Sequence, residues 1–87
     1  MVRVYLPRAL VAIITGLPLQ AEVEAENVSD LLAALDARWP GVQMRICAAS
    51  DRIRDHINIF VDGMPATLQM PVHPGSVVRI LTAVSGG

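Results

Sequence analysis

Only one long amphipathic helix pattern lies in this 87-residue chain, and it dictates what the rest of the chain must supply. Val28, Leu31, Leu32, Leu35 and Trp39 recur at the spacing of one helix face, while Ser29, Asp30, Asp36 and Arg38 fall largely on the other. Asn27 is placed to cap this helix by accepting from the backbone N–H of Ser29 or Asp30, and Asp30 suits its positive end. Pro40-Gly41 stops it. A single apolar stripe needs a single apolar surface to cover it, and the other periodic segments of the chain read as strands, so the cover is a sheet.

Residues 2–6 and 19–24 read as the first two strands. Val2, Val4 and Leu6 alternate with Arg3 and Tyr5, and Leu19, Ala21 and Val23 alternate with Gln20, Glu22 and Glu24. Thr15-Gly16 offers a turn between them. Residues 57–61 give the strongest strand signal, branched and aromatic residues bounded by the turn pair Asp62-Gly63, and belong in the interior of the sheet. A short irregular stretch with Met64, Pro65, Met70 and Pro71 follows; then Pro74-Gly75 makes a tight turn and residues 77–82 form the last strand. Between helix and central strand the pattern weakens: residues 43–47 suggest a short helix, and residues 50–56 a polar loop whose Asp51–Arg54 or Arg52–Asp55 pairs are worth little in water. The run Val11-Ala12-Ile13-Ile14 is unusually apolar for a loop, which fits a longer strand or a helical turn packed inward, or an extra contact surface. Strand, strand, helix, strand, short strand, strand predicts an α+β fold with a mixed sheet packed on one main helix and the first and last strands side by side in the middle. This is the ubiquitin-like, or β-grasp, arrangement.

The length fits one domain, residues 1–87, burying roughly 60% of the surface its unfolded chain exposes, with little spare interior for a cofactor pocket. All seven cations are arginine, the formal charge is −1, and Trp39, Tyr5 and Phe60 are not interleaved with cations as a nucleic-acid platform requires. Cys47 is alone, so the chain has no internal disulfide and no cysteine set for a metal; it reads as a small packed hydrophobe, in keeping with a reducing compartment. His56 and His73 lie far apart and outside any helical i, i+4 pair, which speaks against zinc. Arg3 and Arg8 ahead of an apolar run imitate a secretory signal, but the strand-period alternation of residues 2–6 and the position of Pro7 and Arg8 oppose that reading. Gly16 and Pro18 cut the run short of the roughly 20 residues a membrane span needs. A cytoplasmic protein without membrane attachment is expected.

The chain closes on Leu81-Thr82-Ala83-Val84-Ser85-Gly86-Gly87. Glycine has no Cβ and reaches backbone angles closed to other residues, so two in succession can enter a narrow channel and still bend. Residues 83–87 extend by about 16 Å at most, enough to carry a carboxylate into a partner's cleft while the folded body stays outside. Such an end suits a substrate better than a catalyst. Small flexible residues are also what an ordinary frayed end looks like.

An opening strand ending in Leu6-Pro7, a capped helix closing with Trp39-Pro40-Gly41, the segment Ile57-Asn58-Ile59-Phe60-Val61-Asp62-Gly63, the turn Pro74-Gly75 and the LTAVSGG tail resemble, in that order, the bacterial and archaeal sulfur carriers of the molybdopterin-synthase small subunit and thiamine-carrier type. The central strand and tail look most like the carriers associated with cysteine synthesis. The resemblance implies a carrier and not an enzyme, with a flexible tail over residues 83–87. It implies that Gly87 is the acyl-bearing terminus, Gly86 the narrow neck beside it, and Leu81 a bulky apolar position buried in partner interfaces, a contact Val84 extends. Phe60 either joins that patch or packs in the core, and strand alternation turns either Leu81 or Ile80 outward. No bound cofactor is implied: ATP and magnesium belong to an adenylating activating enzyme, and the other partners are a sulfur donor and a downstream sulfur-accepting synthase or sulfhydrylase. Thr82 stands where many relatives have proline, which leaves the tail less stiff. The same features admit a ubiquitin-like modifier joined through Gly87 to lysines of other proteins, or a non-conjugating β-grasp interaction module.

Overall fold

The computed structural model describes residues 1–49 and 52–83, and its elements in chain order are β1 (Val2–Tyr5), α1 (Arg8–Ile13), β2 (Gln20–Val23), α2 (Val28–Arg38), α3 (Val42–Ile46), β3 (Cys47–Ala49), β4 (Arg52–Ile53), β5 (Ile57–Val61), β6 (Met64–Pro65) and β7 (Val77–Thr82). Five strands form one mixed sheet in the order β2-β1-β7-β5-β6. β1 and β7 run parallel, with Val4 beside Val78, and the other neighbouring pairs of this sheet are antiparallel. The β-grasp architecture expected from the single helix is therefore the one observed, with the first and last strands at the centre.

The apolar stripe of α2 closes this sheet. Val28, Leu31, Leu32 and Leu35 are fully buried and share one core with Val2, Val4, Ala21, Val23, Ile59, Val78 and Ile80 from the strands; each Val, Leu or Ile side chain contributes about 1.5–3 kcal/mol when fully buried. The first free N–H groups of the helix are taken up in sequence: Asn27 Oδ1 accepts from Asp30 at 2.8 Å, while Val28 and Ser29 donate to the carbonyls of Met70 and Leu68. The stretch between β6 and β7 that reads as irregular thus earns its place by holding the helix start and burying Leu68 and Val72. At the other end Gly41 turns the chain at φ +106°, and Asp36, on the polar face by periodicity, accepts from Gly41 N–H at 3.0 Å and Gln43 N–H at 3.1 Å, tying α2 to α3.

Several local expectations are corrected. The apolar run after β1 lies in and just beyond α1, and it splits: Leu10 and Ile14 are buried, Val11 is half-buried, and Ile13 faces solvent. Leu19 precedes β2 and is exposed instead of alternating inward with Ala21 and Val23. The short helix is α3, Val42–Ile46, one residue earlier than predicted, so Cys47 opens β3. The polar loop predicted for residues 50–56 contains β4, paired antiparallel with β3 through Cys47 and Ile53; Ser50 and Asp51 lie outside the described residues. Arg54 donates from Nε and Nη2 to the Met44 carbonyl at 3.1 and 2.8 Å; the expected Asp51–Arg54 pair involves a residue outside the described ones. The short strand before the last falls at β6, joined to β5 by Asp62 and Gly63 at φ +49° and +85°, the two left-handed residues of a type I′ hairpin. Among the described residues no helix is long and apolar enough to cross a membrane.

Candidate functional site

β7 carries the chain out of the middle of the sheet, so its two faces decide what lies at the base of the tail. Strand alternation leaves the sign of those faces open, and packing resolves it. Val78 and Ile80 point into the core, Ile80 at 1% exposure; Arg79 and Leu81 point to solvent, Leu81 at 48%. Phe60 has the outward parity on β5, where Ile57, Ile59 and Val61 are buried, so it lies on the same outer face as Leu81 and not among the core residues; it is half-buried.

Registers bring these residues together. Arg79 stands between Tyr5 of β1 and Phe60 of β5, Leu81 is opposite Asn58, and Phe60 is opposite Pro65 of β6. The Arg79 guanidinium carbon lies 4.5 Å from the centre of the Tyr5 ring, within cation–π range. Beyond Thr82 the ladder continues for one more bond, Ala83 N–H to the His56 carbonyl at 2.7 Å. Val84, Gly86 and Gly87, the remaining residues singled out from sequence, lie outside the described residues. Tyr5 and Arg79 were not singled out; their signal is parity, since Tyr5 shares the phase of Arg3, and Arg79 that of Leu81.

Around Arg79 the outer face thus sets Tyr5, Phe60 and Leu81 beside one cation held over an aromatic ring, at the root of the segment that ends in the diglycine. Among the described residues no three His, Cys, Asp or Glu side chains converge as a metal site requires. Cys47 is buried, and burial pushes its thiol up from its ordinary value despite the opposing pull of Arg54. A nucleophilic cysteine needs the reverse shift, so it packs as the hydrophobe the sequence suggested.

Comparison with known proteins agrees with this geometry. The family model described as the ThiS family matches residues 10–87. Among solved structures, a chain of the Amycolatopsis orientalis BexX/CysO complex superposes with a TM-score of 0.90 at 25% identity, over 100% of both chains. CysO of Mycobacterium tuberculosis superposes at 0.87 and 22% identity, over 97% of this chain and 100% of its own, which speaks to fold alone. SAMP1 from Haloferax volcanii superposes at 0.76 and 25% identity, over 99% and 98%. A search of curated protein sequences finds no significant match.

Proposed function

This chain belongs to the ThiS family of ubiquitin-like carriers, and from that premise we propose that it is a sulfur carrier whose Gly87 carboxylate is adenylated by an activating enzyme, converted to a thiocarboxylate, and used to donate sulfur in cysteine or molybdopterin-type cofactor biosynthesis. One observation carries the reading: the family match runs through residue 87, and the strand feeding that tail is anchored at the sheet centre with an exposed apolar residue, Leu81, at its root. The full-length likeness to a chain of the BexX/CysO complex supports a chain that works docked on a partner protein.

The chemistry needs little from the carrier itself. A carboxylate is a poor electrophile because oxide would have to leave. Attack of the Gly87 carboxylate on the α-phosphorus of ATP releases pyrophosphate and forms a mixed anhydride; sulfide then displaces AMP and leaves C(O)–S⁻, or a persulfide displaces AMP to give an acyl disulfide that a thiol of the sulfur donor or activating enzyme cleaves, leaving the same C(O)–S⁻ and a disulfide on the donor side. ATP, magnesium and the acid–base groups belong to the activating enzyme, and Gly86 serves as the narrow neck that enters its channel. Leu81 and Phe60 contribute to the partner-binding surface, and Val84 in the tail is assigned to the same contact. A reducing cytoplasmic setting suits both the thiocarboxylate and the free thiol of Cys47.

Mass spectrometry after incubation with the activating enzyme, ATP and a sulfur donor tests this: the carrier gains about 16 Da as oxygen becomes sulfur. The likeness to SAMP1, a small archaeal modifier protein, favours a second reading in which Gly87 is joined to a partner lysine. In that case the tail appears linked to another protein. Removal of Gly86 and Gly87 abolishes either product while the fold persists; a β-grasp module that binds through its sheet alone keeps its function. A gene for a sulfhydrylase beside this one points to cysteine, and one for a large synthase subunit to the pterin route.

A further inference from the structure

The outer face carries two cations in the middle of strands, and they differ in company. Arg3 stands opposite Glu22 on β2, so its charge has a carboxylate as cross-strand neighbour. Arg79 stands between Tyr5 and Phe60, neither of which offers one. Its guanidinium lies over the Tyr5 ring, which limits its rotamers before any partner arrives. A planar guanidinium presents paired N–H donors that match the two oxygens of a carboxylate, and such a pair strengthens once apolar neighbours exclude water.

We propose that Arg79, held over Tyr5 and flanked by Phe60 and Leu81, is the charged anchor of a docking face for a protein surface that places a carboxylate inside an apolar patch. The proposal rests on the carrier reading: Leu81 lies near the end of the strand that leads into the tail, so a protein that takes Gly87 into its active site comes down over this face. Charge selects the occupant. A second copy docked through the same patch about a two-fold axis would bring one Arg79 toward the other, unpaired, whereas an acidic partner residue satisfies it. Arg79 acts through binding and touches no reacting atom, so it is a positioning residue.

The test uses the activating enzyme that converts the wild-type chain, with Arg79→Met, Arg79→Lys and Arg79→Glu. The expected result is a KM for the carrier raised about tenfold in Arg79→Met and further in Arg79→Glu, with kcat held within about twofold and Arg79→Lys in between. Added salt should weaken binding of the wild type more than that of Arg79→Met. Equal KM in all four proteins, or equal salt dependence, overturns the anchor. Should Arg79→Glu fail to fold, Arg79→Met and Arg79→Lys decide by the same readings. Self-association of the wild type that Arg79→Glu removes, seen by sedimentation, assigns the face to a second copy and overturns the proposal. Absence of a thiocarboxylate on the wild type sinks the carrier reading and the anchor with it, whereas thiocarboxylate formed at unchanged KM in Arg79→Glu sinks the anchor alone.

Discussion

Ile80 and Leu81 are adjacent on the same strand, yet one is 1% exposed and the other 48%. They belong to the two faces of a sheet that obey different rules. Toward α2 the strands present Val2, Val4, Ile59, Val78 and Ile80, aliphatic and closed, where each side chain answers to the volume around it. Away from α2 the same strands present Arg3, Tyr5, Asn58, Phe60, Arg79 and Leu81, a mixture that no core would accept. Stability resides on the first face and the proposed recognition on the second, so substitutions one residue apart should separate the two.

The largest effect is expected inside. Ile80→Ala should destabilise the domain by about 2–5 kcal/mol, read from the urea midpoint, because a packed neighbourhood collapses only partly around the void. A much smaller loss would mean that the inner face is loosely packed and the contrast overstated. Outside, Leu81→Glu should leave the unfolding midpoint nearly unchanged but weaken docking on the activating enzyme at least about tenfold, roughly 1.4 kcal/mol, since it puts a charge into an apolar contact. Marked unfolding of this variant would return Leu81 to the core and erase the distinction. Asn27→Ala tests the support of the inner face from a distance: loss of the cap on Asp30 should cost about 1 kcal/mol in stability and nothing in docking.

The smallest effect concerns Cys47. Its thiol titrates higher in the folded chain than its ordinary 9.0, chiefly because burial disfavours the thiolate. Folding therefore favours the protonated form. Stability linked to this group is intact below pH 9.0 and declines as pH rises through that value toward the folded pKa. Cys47→Ala should flatten the alkaline limb of a stability–pH curve, and an unchanged limb would show that the thiol is not held from water.

Much of this was legible in the residues because the inner face is written in periodicity. Val28 to Leu35 on the helix, and Val2 with Val4 or Ile57 with Ile59 on strands, announce themselves by spacing, and the single helix then demands the sheet. Spacing cannot tell Leu81 from Ile80, since alternation gives parity without sign, and only α2 packing on Val78 and Ile80 supplies it. α1 stayed open between a longer strand and a helical turn because six residues with Leu10 inward and Ile13 outward make too short a window for a helical period to stand out. β3 and β4 are short, and the charges around them obscure any alternation. Arg79 was passed over for a related reason: a lone arginine reads as solvated surface until the register sets Tyr5 and Phe60 on either side of it.

The parallel pairing of β1 with β7 also has a mechanical side. β7 is paired with β5 from Val78 to Thr82 and with β1 over Val77 to Arg79, so a pull along the residues that follow it must shear the β5 ladder and, behind it, the β1 ladder instead of peeling them apart bond by bond. An enzyme can tug hard on the tail, strain it in a tight cleft or drag it between sites, and the load is spread across the sheet while the body holds its shape.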